Sequence, residues 1–374
     1  MSALFPRERN AGPIHRAEMI VDLEAVRENF RRLKAVAGAA ECAAVVKGDA
    51  YGHGMIPCAL ALRQAGAGTF FVATAGDGAA LRSALADATI CVLGGYQPEE
   101  DEAFVAADLV PVLNSRDQVE RWHAVARRLG RPLRSVIHFD TGMNRLGLLA
   151  DEADWLRGNA RLLADIPPLC YMSHLSAADD VDLERCESQR SAFLNAVRWL
   201  PPAKLSLANS AGSFFGPGFA FDMIRPGKAT FGINPLTGRE NPMRQPATVV
   251  APIVQVKTLR RGAPVGYSST HRLVDQARIA TVAIGYANGY LRAASGRSAV
   301  CVGGFSAPVV GRVSMDLLTV DVSAVPDWAL APGSPVEILG PGVCDGDLAK
   351  ACATIEHEVL IALGRGCARR YVNE

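Results

Sequence analysis

The stretch Ala44-Val45-Val46-Lys47-Gly48-Asp49-Ala50-Tyr51-Gly52-His53-Gly54 sets a lysine at the end of a short apolar run, ahead of a turn with three glycines and a tyrosine. A lysine that closes a buried strand is costly to desolvate unless chemistry uses it. One reading is a lysine that snorkels from a strand end. The other is a Schiff-base lysine that holds pyridoxal phosphate, with Tyr51 and the glycine turn near the phosphate. The segment by itself leaves both readings open.

Outward from Lys47, short apolar runs recur at 42–46, 69–73, 89–93, 109–113, 135–139, 169–172, 204–207 and 223–224. Helical patterns separate them, for example 56–65, 117–129 and 183–200, and an amphipathic helix at 23–36 precedes them. Eight strands with helices between them rank a (β/α)8 barrel of the TIM type above a doubly wound sheet. A barrel carries its reactive groups just after the strand C-termini. Lys47 follows the first strand, Arg145 the fifth, His174 the sixth, Asn209 and Ser210 the seventh, and Arg225 the eighth.

Past residue 240 the texture changes. The polar segment 238–246, with two prolines, reads as a linker. Short alternating runs follow at 249–258, 278–283, 298–302, 307–310, 317–322 and 336–338, the pattern of a mostly antiparallel β domain. A helix near 349–362 and a basic tail close the chain. The fold class is therefore α/β plus all-β, with a barrel over 14–240 and a β domain over 241–374.

The 374 residues suffice for two domains, and a net charge of +1 speaks against a nucleic-acid or membrane partner. Nine scattered cysteines without a CxxC pair read as free thiols in a reducing cytoplasm. Neither these nor the seven histidines show metal-ligand spacing. Residues 1–19 lack the continuous apolar core of a secretion signal.

The stretch around Lys47 resembles the cofactor-lysine motif of the alanine racemases, pyridoxal-phosphate enzymes built of a barrel and a β domain. The resemblance returns at His138-Phe139-Asp140-Thr141-Gly142-Met143-Asn144-Arg145-Leu146-Gly147, Ser173-His174-Leu175-Ser176, Ala208-Asn209-Ser210-Ala211-Gly212 and Ile224-Arg225-Pro226-Gly227. In the second half it continues at Val265-Gly266-Tyr267, Gly285-Tyr286-Ala287-Asn288-Gly289-Tyr290 and Gly311-Arg312-Val313-Ser314-Met315-Asp316. Each motif is moderately specific, and their shared order and spacing are strongly so.

The resemblance implies interconversion of L-alanine and D-alanine, supplying D-alanine for peptidoglycan. Racemisation removes the α-proton from one face and returns it on the other, which two opposed bases do directly. Lys47 is then the Schiff-base lysine and the base on the D side, and Tyr267 the base on the L side. His174 and Arg225 support Tyr267, whose ordinary pKa of about 10 is too high for an efficient neutral-pH base. Arg225 also stands against the pyridine nitrogen, where most pyridoxal enzymes place a carboxylate. Tyr51, Ser210 and the backbone around Gly227 hold the phosphate, and Arg145 faces the ring phenolate. Arg145, Tyr286, Met315 and Asp316 belong to substrate binding, and Asp140 is structural. The family places Tyr267, Tyr286, Met315 and Asp316 across a homodimer interface with shared active sites. It also pairs the extreme N-terminus, here 1–13, with the β domain.

Four positions depart from the family pattern. His138 replaces a lysine that many members carbamylate, so no such modification is expected. Lys228 replaces an aliphatic residue and either adds a cation near the phosphate or points to solvent. Asn288 replaces an aspartate, and Arg365 lies near where some members place a phosphate-contacting tyrosine. Three other readings stand beside alanine racemase. They are a serine or broad-specificity racemase, a non-catalytic pyridoxal-phosphate carrier, and a fold-related decarboxylase. The β domain with Tyr267 argues against the carrier, and Arg225 against the decarboxylase.

Overall fold

The computed structural model describes residues 14–374, so the expectation for 1–13 lies outside the described residues. The chain divides into two compact units. One holds Ala25–Ala50 and Met55–Arg244, and the other holds the described residues up to Glu24, Tyr51–Gly54 and Gln245–Glu374.

The first unit is the α/β barrel. Seven parallel strands form one ladder: Ala44–Val45, Thr69–Val72, Thr89–Val92, Leu109–Leu113, Ser135–His138, Pro168–Met172 and Lys204–Ser206. The eighth, Met223–Ile224, pairs in parallel with Glu41–Cys42. Backbone bonds complete the ring, with Ala43 N–H donating to Ile224 O (3.0 Å) on one side and Arg225 N–H donating to Ala208 O (3.0 Å) on the other. The apolar run at 42–46 is therefore not one strand. It splits at Ala43 because its first half serves Met223 and Ile224 while its second half serves Phe70 and Phe71.

Alternate side chains fill the barrel interior. Val45, Phe71, Cys91, Val112, Val136, Cys170 and Met172 pack there in one buried cluster, as small barrels require. The outer helices follow capping rules. In Arg116–Leu129, the Ser115 side chain accepts from Gln118 N–H and Gly130 closes the helix in the left-handed conformation.

The second unit is a mostly antiparallel sheet around the long strand Ala247–Leu259. Its first half pairs with Glu18–Asp22 and Pro335–Leu339, and its second half with Ala277–Val282. One pairing is parallel: Glu18–Asp22 with Ala368–Val372. The sequence pattern shows neither of those two strands. The basic tail is a strand whose Arg370 is matched by Glu18, Nε to Oε2 at 3.2 Å. The expected single helix at 349–362 is two, Asp345–Ala351 and Glu356–Gly366, broken where Ala353 turns left-handed at φ 55. No helix among the described residues is long and apolar enough to cross a membrane.

Helix Glu356–Gly366 approaches Gly52 backbone to backbone. A methyl on Gly364 would fall inside the Gly52 carbonyl, and one on Gly52 inside the Leu360 carbonyl. Gly364→Ala should therefore cost about 1–3 kcal/mol by overpacking, read as a lower thermal midpoint. Gly158→Ala, which meets open space, should not lower it. Equal midpoints for Gly364→Ala and the native chain would refute the close contact.

Candidate active site

The segment after Lys47 turns with the wrong hand. Gly48, Asp49, Ala50 and Tyr51 have φ of 63°, 56°, 54° and 53°. L-residues pay roughly 1–2 kcal/mol each for this conformation, so the turn stores several. Asp49 Oδ1 accepts from Met55 N–H (2.6 Å) and Ala50 N–H donates to Val46 O (2.9 Å), which holds it in place. Strain of this kind concentrates at functional sites. It ends the strand abruptly and leaves the half-buried Lys47 at the barrel rim.

Lys47 sits in a cationic environment. Burial, then Arg145, then Arg225 draw its amine below the ordinary lysine pKa. Arg225 is 4% exposed and donates to Ser173 O (2.6 Å) and the Ser206 hydroxyl. Burial pulls its pKa to about 10, so it remains a cation at neutral pH. Its Nη2 also lies 3.5 Å from His174 Nδ1. Burial, then Arg225, Lys47 and Arg145 hold the His174 imidazole neutral, well below its usual pKa. Arg145 itself is exposed on the turn after the fifth strand. Asp140 organises that turn by accepting from Gly142 N–H (2.8 Å) and Met143 N–H (3.0 Å).

Ser210 closes the seventh strand. Its Oγ accepts from Gly227 N–H (3.0 Å) and Ala229 N–H (3.2 Å), leaving its own proton free to donate. Lys228 Nζ meets Asp179 Oδ1 at 2.7 Å. Its ammonium is therefore ion-paired and largely covered. The first unit therefore gathers Lys47, Arg145, His174, Ser210, Arg225 and Gly227.

The remaining expected residues lie in the second unit. Tyr51 packs on His357, ring centroids 5.7 Å apart. Tyr267 is 70% exposed and, with Arg312, Ser314 and Leu317, lines an open depression of about 420 Å³. Ser268 and Ser269 after it are also left-handed, at φ 59° and 49°. Tyr286 N–H donates to Ser314 O (3.1 Å) and Ala287 N–H to Met315 O (2.9 Å), which join the Tyr286 and Met315 turns. Met315 is 54% exposed and Asp316 is exposed beside it. Asn288 is structural: Oδ1 accepts from Gly285 N–H (3.3 Å) and Nδ2 donates to Gly366 O (3.4 Å). An aspartate could not make the second bond. Arg365 is exposed on its helix.

Sequence reasoning passed over Asn114, which closes the fourth strand as Ser210 closes the seventh. Its Nδ2 donates to Val112 O (2.9 Å) and Leu93 O (3.4 Å), so Oδ1 accepts from His138 Nδ1 at 2.7 Å. That assigns the His138 proton to Nδ1 and leaves Nε2 an acceptor.

A barrel with a cationic, lysine-centred rim followed by a β unit defines a class of enzymes that bind a carbonyl cofactor on lysine. Residues 21–235 match the family described as alanine racemase, N-terminal domain, and 247–371 its C-terminal domain. An alanine racemase of Methylobacterium nodulans is 42% identical over 96% of both chains. A catabolic alanine racemase of Mesorhizobium japonicum is 41% identical over 95% of this chain and 93% of its own. The crystal structure of the Bartonella henselae alanine racemase with covalently bound pyridoxal phosphate superposes with a TM-score of 0.92 at 33% identity, covering 96% of this chain and all of that one. The chain belongs to the alanine racemase family.

Burial, then Arg225, lowers the His138 pKa from 6.5 to about 3. Below pH 6.5 the unfolded chain takes up a proton that the folded one refuses until about 3. Stability should therefore fall as pH drops through that window, by on the order of a few kcal/mol. Denaturant titrations at pH 7 and pH 4.5 should show a smaller loss for His138→Gln than for the native chain. Equal losses would mean that His138 protonates freely.

Proposed function

We propose that this protein interconverts L-alanine and D-alanine with pyridoxal phosphate carried on Lys47. The observation that carries the reading is the half-buried Lys47 amine, held below its usual pKa beside Arg145 and the buried Arg225. The donor set suits the cofactor. Lys47 offers a nucleophilic amine; the Ser210 and Tyr51 hydroxyls offer phosphate donors, with the backbone around Gly227 holding Ser210 in place; Arg145 offers a cation for the ring phenolate. Arg225 offers a guanidinium, where a carboxylate would serve a decarboxylase. When bound, pyridoxal phosphate supplies the electron sink that makes an amino acid α-proton acidic.

The chain supplies the proton handling. Lys47 Nζ takes or returns the proton on the D face, and Tyr267 Oη does so on the L face. A neutral His174 and a charged Arg225 stabilise the Tyr267 phenolate. Arg225 keeps its own proton and so does not deepen the electron sink, which restrains side reactions. Tyr286, Met315, Asp316 and Arg145 receive the substrate. Tyr267 and Met315 are large, exposed side chains, which supports a homodimer whose shared sites cover them. Eight buried free thiols of nine suit a reducing cytoplasm, and provision of D-alanine for peptidoglycan is the role we assign. A serine or broad-specificity racemase is the second reading, because Tyr286 and Tyr267 set the pocket size.

Chiral chromatography after incubation of the cofactor-loaded protein with L-alanine, L-serine and L-lysine tests the reading. D-alanine should appear well ahead of the other two. Faster serine turnover would move the assignment to the second reading, and no D-amino acid at all would end it.

The role assignments have their own test. Lys47→Ala should abolish covalent cofactor attachment and activity in both directions. Tyr267→Phe should lower racemisation about 10²- to 10⁴-fold while the cofactor absorbance remains. A Tyr267→Phe enzyme with native rates both ways would remove Tyr267 as a base.

A further inference from the structure

Gln189 lies midway along helix Leu183–Val197 and is 3% exposed. A buried amide must use its hydrogen-bonding capacity or lose the desolvation energy of each idle atom. Gln189 uses all of it. Oε1 accepts from Ser176 N–H (2.9 Å) and Ser176 Oγ–H (3.1 Å). Nε2 donates to His174 O (3.0 Å) and Thr141 Oγ1 (3.4 Å). None of these partners is on its own helix or within a barrel strand.

Arg185, one turn earlier on the same helix edge, reaches the same two segments. Its Nε donates to Ser176 Oγ (2.9 Å) and its Nη2 to Gly142 O (3.0 Å). Thr141 Oγ1 and Ser173 Oγ are 2.7 Å apart, and Ser173 O receives Arg225 Nη2 at 2.6 Å. One helix edge thus fastens the turn that carries Arg145 to the segment that carries His174, and that segment in turn fixes Arg225.

We propose that Gln189, with Arg185, is a positioning residue that locks the Arg145 turn and the His174 segment into one rigid body before the cofactor arrives. The proposal rests on the cofactor reading above. Gln189 touches neither Lys47 nor a proton in transit. It acts by removing the freedom of two segments that would otherwise be ordered at the cost of binding energy.

The cofactor dissociation constant is the readout, followed by absorbance during reconstitution of the full-length protein with pyridoxal phosphate. Gln189→Met, nearly isosteric but without the amide, should weaken binding about tenfold, the worth of one or two buried hydrogen bonds. Arg185→Met, at an exposed position, should weaken it less. The double variant should weaken it by less than the product of the two, because both act on Ser176. Gln189→Glu keeps the acceptor half but sets a second oxygen against the His174 carbonyl at a buried position, and should weaken binding at least as much as Gln189→Met. Phe193→Leu alters a fully buried side chain of the same helix and serves as the control for lost stability alone.

Native binding by Arg185→Met and Gln189→Glu would overturn the proposal, even if Gln189→Met failed to fold. So would equal weakening by a Phe193→Leu protein. A native protein that binds no pyridoxal phosphate would instead overturn the functional reading, and the proposal with it.

Discussion

The site depends on the desolvation of one amine among guanidiniums. Burial disfavours the charged form of Lys47, and two neighbouring cations disfavour it further. The expense is borne by a closed barrel. Arg225 can stay buried only because the ring places the Ser173 carbonyl and the Ser206 hydroxyl within its reach. Those acceptors stand at the ends of adjacent strands, so strand register and the electrostatic environment of Lys47 are a single constraint. The neutral His138 and His174 follow first from burial, to which Arg225 and Arg145 add.

Two strained turns flank the residues assigned as bases. Lys47 is followed by four left-handed residues and Tyr267 by two. In both places the backbone reverses within a turn that ordinary L-residues resist. Hydrogen bonds from outside the turn hold the first, chiefly Asp49 to Met55 N–H, and the Ser268 hydroxyl of the second accepts from Arg312. Each reversal ends its strand without lengthening the loop.

Much of the barrel site could be read in the sequence because its logic is local. Lys47, Ser210 and Arg225 each close an apolar run, and a barrel gives such positions meaning. Tyr267, Tyr286 and Met315 carry no comparable local mark, and only the family resemblance pointed to them. Asn114 also closes an apolar run, but a lone asparagine after a strand reads equally as a turn. Gln189 stands in a polar helical stretch where nothing local tells which side chain is buried. The strand Ala368–Val372 hides behind two arginines, and its partner Glu18–Asp22 runs directly into a helix. The break at Ala353 has neither glycine nor proline to announce it. Each of these features is decided by a partner more than a hundred residues away or by tertiary packing, which periodicity does not encode.

The pairing of Glu18–Asp22 with Ala368–Val372 bears on how the protein is made. Among the described residues, the first strand needs the last as its neighbour. At about 5–20 residues per second, the interval is on the order of tens of seconds. The barrel unit, Ala25–Arg244 apart from one short excursion, is complete before its companion sheet has its centre strand. Ala247–Leu259 covers one side of Met19, Ile20 and Val21 once it is made, but until Ala368–Val372 arrives the other side is an open edge of the kind that invites other chains. Glu18 and Asp22 bracket those three residues with negative charge, the arrangement that keeps a waiting strand from the wrong partner. Glu18 then meets Arg370 once the closing strand arrives. The same carboxylate thus guards the nascent chain and helps to seal the finished one.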